Sequence, residues 1–210
     1  TLSPDRPPAR NTGTGAAQTS ATVTTTLDIV SSNDAPSLSG LATTNPTFAE
    51  GASTPTTLES NITLTDPDGG STLSYVGATA TVTLASPTGT ETLAYTPSST
   101  VTTKSAYSTS TGAITVEVGS GGTLADLQTA LRSFTFTDSS AALTDGATRS
   151  ISWSVNDGGN NGSTGSAGAL TSATATTTLD ITATNATPSI GGLSSTCLLY
   201  TSPSPRDSSP

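Results

Sequence analysis

Residues 148–159 read Thr-Arg-Ser-Ile-Ser-Trp-Ser-Val-Asn-Asp-Gly-Gly. Ile151, Trp153 and Val155 alternate with serines, and this period of two residues is typical of a β-strand with one buried face. We expect Trp153 to lie in the core because it falls on the apolar side of the alternation. The Asn-Asp-Gly-Gly that follows predicts a turn. This stretch therefore predicts a fold built from β-strands.

Short runs of the same kind recur along the chain and are separated by turn-forming residues. They cover residues 62–65, 73–84 with a break near Gly77, 92–95, 114–118, and Phe134 with Phe136. Val23, Leu27 and Ile29 form a similar alternation near the start, and Leu179 and Ile181 repeat it later. The pattern predicts an all-β fold, an antiparallel β-sandwich.

One segment departs from the β pattern and predicts a short helix over residues 123–132. Leu124, Leu127 and Leu131 fall on one helical face. Thr123 can cap the first amides, and the charges of Asp126 and Arg132 suit the two ends of the helix dipole. We expect this helix to close one end of the sandwich.

The composition excludes several classes of function. Ser and Thr supply 80 of 210 residues, whereas Leu, Ile, Val and Phe supply only 35, which predicts a thin core. The chain has no His, so the Ser and Thr hydroxyls lack the usual general base, and we expect no enzyme. The net charge of −9 argues against nucleic acid and anionic membranes as partners. No apolar run is long enough to insert into a membrane.

An internal repeat defines the domain organisation. Residues 19–41 and 171–193 agree at 15 of 23 positions without a gap, at an offset of 152 residues. So long a period is a whole domain, and the chain is therefore interpreted as part of a tandem array. We expect residues 1–32 to end a preceding repeat (with 1–18 divergent or misread), 33–185 to form one complete repeat, and 186–196 to begin the next.

The last residues, 197–210, differ in composition from everything before them. Cys197 opens Cys-Leu-Leu-Tyr-Thr-Ser-Pro-Ser-Pro-Arg-Asp. This string resembles the translation of a transposon-end adapter used in preparing sequencing libraries. The tail is therefore interpreted as adapter-derived, and Cys197 carries no inference about disulfides or redox environment.

Five motifs in order resemble the cadherin-like, immunoglobulin-like repeats of giant bacterial surface adhesins. They are NDAP at 33–36, TFAEG at 47–51, ITLTDPDGG at 62–70, TLADLQTALRSFTFTD at 123–138 and TRSISWSVNDGG at 148–159. The resemblance implies an extracellular, secreted or surface-anchored β-sandwich with Ca²⁺ at its junctions and a role in attachment. The second junction, Ala183-Thr184-Asn185-Ala186, lacks the acidic residues of eukaryotic cadherin linkers, so a full multi-calcium junction is not expected there.

Oxygen-bearing side chains in two turns are the candidate metal ligands, because Ca²⁺ binds carboxylate and amide oxygens without rigid geometry. We expect one Ca²⁺ site near a domain end, and a second oxygen-rich loop around Asp157 is a further candidate. The predicted ligands of the first site are Glu50, Asp66 and Asp68, with Asp34 and Asn33 nearby. The alternative is that these residues are present only because turns favour them.

The sequence supports two main classes of function, and homophilic adhesion, which predicts calcium-dependent self-association, is a third. The first is a structural and adhesive repeat, rigidified by calcium, whose partners are neighbouring repeats in the same chain and surface glycans or other cells. The second is a β-sandwich module that binds a carbohydrate or another ligand through an exposed face or the Asp157 loop. Saturable binding to one defined sugar would favour the second class.

Overall fold

A computed structural model describes Gly13, Gly15 and residues 20–27, 32–159 and 168–184. The chain divides into two compact units, Thr1–Val30 and Ser31–Pro210. In the first unit, residues 20–27 form no helix or strand, and Val23 and Leu27 are exposed. The predicted strand is thus wrong for these residues, while Ile29, the residues from 185 to 196 and the tail from 197 lie outside the described residues.

The described part of the second unit is all-β with one short helix, as predicted. The elements are β1 (Ser37–Ser39), β2 (Thr47–Ala49), β3 (Thr56–Thr57), β4 (Thr63–Thr65), β5 (Thr79–Leu84), β6 (Glu91–Ala94), β7 (Val101–Ser105), β8 (Ala113–Val118), α1 (Leu124–Arg132), β9 (Thr135–Asp138), β10 (Thr148–Asn156) and β11 (Ala175–Thr182).

The strands form a six-stranded sheet in the order β2-β11-β10-β5-β8-β7, a three-stranded sheet β3-β9-β6 and a pair β1-β4. Most neighbours are antiparallel, but β2 runs parallel to β11, with Thr182 opposite Ala49. The predicted all-β sandwich is confirmed, and this edge is the one place among the named strands where two neighbours run parallel. The pairing joins the second strand of the unit to its last described one, which no local pattern specifies.

Alternation of burial explains why the long strands form. Along β10, Ile151, Trp153 and Val155 are fully buried while the serines between them are partly exposed. The strands β5, β8 and β11 repeat this pattern. Thr and Ser cover the outer face because β-branched and small polar side chains suit a pleated surface in contact with water.

Aromatic rings join the two larger sheets. Phe48 of β2 contacts Phe136 of β9 edge to face, with ring centroids 5.2 Å apart. Phe134, just before β9, contacts Trp153 of β10 in the same way at 5.6 Å. These offset geometries are the favourable ones for aromatic pairs. The few large residues of the chain are thus concentrated where the layers meet.

The helix begins where the sequence predicts. Thr123 caps it through its hydroxyl, which accepts from the Asp126 amide, and the Asp126 carboxylate accepts from the Thr123 amide in return. Leu124, Leu127 and Leu131 are buried. The Arg132 Nε donates to the Ile62 carbonyl at 2.8 Å, so α1 packs beside β4. No helix within the described ranges is long and apolar enough to cross a membrane.

The predicted run over residues 73–84 is a strand only from Thr79. Gly77 has a φ of +87° and ends the turn that precedes the strand, so the predicted break near Gly77 is confirmed. Tyr75 lies in that turn rather than in a strand and is fully buried. The strands β1, β2, β3 and β7 were not predicted, because each is short or carries too few buried side chains to produce an alternation.

Candidate functional site

Five of the six predicted ligands lie together at the end of the unit where residue 33 enters it. We call this group the entry cluster: Asn33, Asp34, Asp66, Asp68 and Asp157. The Asn33 Nδ2 donates to the Asp157 carboxylate at 2.7 Å, and the Asp34 amide donates to the Asp68 carboxylate at 2.8 Å. The structure thus joins two turns that the sequence treated as separate candidates.

Turn geometry orients each carboxylate of the entry cluster. The Asp68 amide donates to Asp66 Oδ1 at 3.0 Å, as in an Asx-turn. Asp157 Oδ1 accepts the amides of Gly159 and Leu170, both at 2.8 Å. Gly158 makes this turn possible, since its φ is +70° and a Cβ there would lie 2.7 Å from the Gly77 backbone.

The entry cluster concentrates negative charge in a largely buried place. Asp157 is fully buried, and Asp66 is 5% exposed. Burial raises the pKa of Asp66, and the charges of Asp68 and Asp157 raise it further against the lowering effect of its hydrogen bonds. The three basic side chains that the structure describes have contacts elsewhere: Arg149 with Glu91, Lys104 with Glu117, and Arg132 with a backbone carbonyl.

Tyr75 is a member of the site that sequence reasoning missed. Its hydroxyl donates to Asp66 Oδ2 at 2.6 Å in the interior. Burial raises the pKa of Tyr75, and the hydrogen bond and charge of Asp66 raise it further, so Tyr75 stays a donor at neutral pH. A single tyrosine in a turn gives no signal of such a role in the sequence.

One atom of the entry cluster is unsatisfied. Asn33 is 7% exposed, its Nδ2 donates twice, and its Oδ1 is buried without a hydrogen-bond partner. A buried amide oxygen costs free energy unless a donor or a cation contacts it. Carboxylate and amide oxygens fit Ca²⁺, although no three acidic side chains within the described ranges are already arranged to hold an ion.

Glu50 does not belong to the entry cluster, so the predicted single site containing it is wrong. Glu50 directly follows β2, whose Ala49 pairs with Thr182 at the end of β11. Asp157 directly follows the last residue of β10, near the start of β11, since Trp153 of β10 pairs with Ala175, the first residue of β11. The seven steps along the strand from Ala175 to Thr182 span about 23 Å, so the two acids lie at opposite ends of the sheet.

At this opposite end, the exit end, Glu50 lines a cavity of about 460 Å³ together with Asp138 and Thr184. The Glu50 carboxylate accepts the amides of Leu143 and Thr184, both at 3.0 Å, and these two bonds lower its pKa. Asp138 Oδ2 is buried without a partner. The sequence holds a signal for Asp138, which continues the alternation of Phe134 and Phe136 into the core.

Comparison with known proteins gives little further information. No model of a protein family matches the chain, and no curated protein matches it. Among solved structures, AggA, the major subunit of aggregative adherence fimbriae type I from Escherichia coli, is similar at 12% identity and a TM-score of 0.33. The match covers 75% of this chain and 100% of that one. So low a TM-score does not establish a shared fold.

Proposed function

We propose that the second unit is a structural module of an extracellular surface protein that binds Ca²⁺ at its entry cluster and is rigidified by it. The observation that carries the proposal is the buried, unpartnered Asn33 Oδ1 beside the acidic side chains of Asp66, Asp68 and Asp157. A cation there would ligate an oxygen that now lacks a partner. It would also reduce the repulsion that raises the pKa of Asp66.

The position of the two ends supports a role as a spacer. The chain enters the unit beside Asp157 and reaches Thr184 beside Glu50, at the opposite end of β11. Units joined through such ends would extend head to tail, and an ion at each entry would stiffen the junction. Attachment to cells or other surfaces, with neighbouring repeats as partners, is the function that this architecture would serve.

Thermal unfolding with and without calcium tests the ion site. Extracellular modules bind Ca²⁺ with Kd values of about 10⁻⁴ to 10⁻³ M. At 10 mM CaCl₂ this corresponds to about 1.4 to 2.7 kcal/mol of stabilisation. For a unit of this size we expect the midpoint to rise by about 3 to 10 °C over that in chelator.

The substitution Asp68→Asn provides the matched control. Its amide oxygen can still accept from the Asp34 amide, so we expect it to retain the fold while it loses most of the calcium response. Glu50→Gln, at the exit end, should retain the response of the entry cluster. Equal midpoints in calcium and chelator, or an undiminished response in D68N, would overturn the proposal.

A carbohydrate-binding module is the second candidate, and one observation favours it. A cavity of about 220 Å³ lies between β6 and β7, with Tyr95 and Tyr107 in its lining. The Tyr107 hydroxyl is buried without a partner, and aromatic side chains with a free hydroxyl suit sugars. A glycan array tests this candidate: saturable binding that Tyr107→Phe abolishes would support it, and no binding above background would dismiss it.

A further inference from the structure

Two acidic side chains line the same cavity at the exit end, and the strand period explains how they meet. Phe48 of β2 contacts Phe136 of β9 across the two sheets. Alternate residues of a strand share a face, so Asp138 follows Phe136 on the inner face of β9. Glu50 lies two residues after Phe48, and its amide extends the sheet by donating to the Thr182 carbonyl at 2.8 Å. Both acids line the cavity of about 460 Å³, which we call the exit cavity.

Asp138 lacks a group that neutralises its charge. It is 7% exposed, its Oδ1 accepts the Ser140 amide at 2.8 Å, and its Oδ2 is buried without a hydrogen-bond partner. Its neighbour across the strand pair is another acid, Glu91, which already binds Arg149. Asp138 forms no ion pair within the described ranges. Because a buried carboxylate without a cation is costly, the exit cavity favours a positively charged ligand.

The chemistry of the exit cavity suits an organic cation better than a metal ion. The Glu50 oxygens already accept the amides of Leu143 and Thr184, which favours one further N–H donor over bidentate binding to a metal. No three acidic side chains in the described part of the chain are arranged to hold an ion. Ala52 and Ala141 leave room for a hydrocarbon stem. A guanidinium group offers five N–H donors in a planar fork at the end of such a stem.

We propose that the exit cavity binds an arginine side chain of a partner protein. The guanidinium donates to Asp138 Oδ2 and to the Glu50 carboxylate, and its methylene stem packs against Ala52 and Ala141. The net charge of −9 favours the approach of a basic partner. The exit cavity lies at the end of the unit opposite the entry cluster, so this proposal does not rest on calcium binding there.

Nuclear magnetic resonance of the ¹⁵N-labelled full chain tests this site directly. The probe is the peptide acetyl-Gly-Arg-Gly-amide, added in chelator so that calcium takes no part. The amides of Ser140, Leu143 and Thr184 donate to the two carboxylates, and we expect their signals to shift with a Kd of about 1 mM, as for a ligand of this size. The amides of Gly159 and Leu170, in the entry cluster, should not shift.

Matched ligands test the chemistry of recognition. The same peptide with citrulline in place of arginine keeps the shape but loses the charge, so we expect binding to weaken by about tenfold or more. Free arginine carries its own carboxylate, which the two acids repel, so it should bind more weakly than the peptide. Equal binding of the citrulline peptide would overturn the guanidinium as the ligand. Free arginine that binds as tightly as the peptide would overturn the assignment to a partner protein.

Matched variants test the location. Ala141→Leu fills the exit cavity and should abolish binding, whereas Ala142→Leu, at the next exposed position and outside this cavity, should not. Asp138→Asn keeps an acceptor for the Ser140 amide and should weaken binding by about tenfold. Asp68→Asn, in the entry cluster, should bind the peptide as the original chain does. Absence of shifts in the original chain, or binding by A141L equal to that by A142L, would refute the proposal.

Discussion

Thr177 of β11 is a buried polar residue that we expect to contribute strongly to stability. The chain has 47 threonines, and Thr177 differs from its neighbours Thr176 and Thr178 in continuing the alternation of Leu179 and Ile181 on the buried face. In the structure it is 4% exposed, while Thr176 is exposed. Its hydroxyl joins Trp153 Nε1 to the Glu59 carboxylate, whose other oxygen accepts the Ala42 amide at 2.8 Å.

The substitution Thr177→Val keeps the shape of the side chain and removes the hydroxyl. It leaves the Trp153 N–H and one oxygen of Glu59 without a partner inside the protein. Each such loss costs about 1 to 3 kcal/mol and more for a charged group, so we expect a total of about 3 to 5 kcal/mol. Domains of this size are stable by only about 5 to 15 kcal/mol.

Urea unfolding, followed by the fluorescence of Trp153 and by circular dichroism, measures this cost. With a slope near 2 kcal/mol/M, the midpoint should fall by about 2 M. Thr177→Ser retains the hydroxyl and should lose only about 1 kcal/mol. Thr176→Val, on the exposed face, should change the stability by less than about 0.5 kcal/mol. If T177V unfolds at the same urea concentration as T176V, the buried hydroxyl is not a structural requirement and the reasoning is wrong.

Three further predictions follow from individual contacts. Gly158→Ala should lower the thermal midpoint far more than Gly146→Ala. Both glycines have φ near +70°, but only at Gly158 would a Cβ meet backbone, 2.7 Å from Gly77. Equal losses of thermal stability would contradict the role of this close approach. Arg149→Met should cost about 3 to 5 kcal/mol in urea unfolding because it leaves the buried Glu91 carboxylate without its cation. Lys104→Met removes one member of an exposed pair and should cost less than about 1 kcal/mol. Similar costs would contradict the structural importance of the buried pair. In chelator, the free energy of unfolding of the original chain relative to that of Asp66→Asn should fall as the pH rises above 3.8 and through the raised pKa of Asp66. The reason is that the folded state binds the proton of Asp66 more tightly than the unfolded state does. Urea titrations at a series of pH values measure this difference, and a rise over the same range would refute the direction.

The sequence predicts those parts of the fold in which burial alternates over several residues. Residues of β5, β8 and β10 alternate for six to nine positions, and all three strands occur where the pattern indicates. The helix is likewise predicted, because its cap and its apolar spacing agree. The strand β7 has a single buried residue, Val101, so pairing with β8 rather than its own pattern defines it.

The candidate site is predictable only in part, for a related reason. Asp66 and Asp68 are two residues apart in one turn, so their proximity is visible in the sequence. Asn33 and Asp157 are 124 residues apart, and the fold alone brings them into contact. Glu50 lies far from them because β2 runs parallel to β11, which places the end of β2 beside the end of β11. This pairing is between strands distant in sequence, so no local pattern predicts it.

Glu59, Asp66 and Glu91 are buried acids that differ in what neutralises them, and this difference supports the ion site proposed at the entry cluster. Glu91 is paired with Arg149. Glu59 is satisfied by a hydroxyl and an amide deep in the core, at 1% exposure, where an ion has no access from solvent. Asp66 is also held by neutral donors, but it lies beside the partly exposed Asp68, at the end of the unit, next to an amide oxygen without a partner. Neutral donors leave the charge in place, so a cation that enters from solvent would gain more at this cluster than beside Glu59 or Glu91.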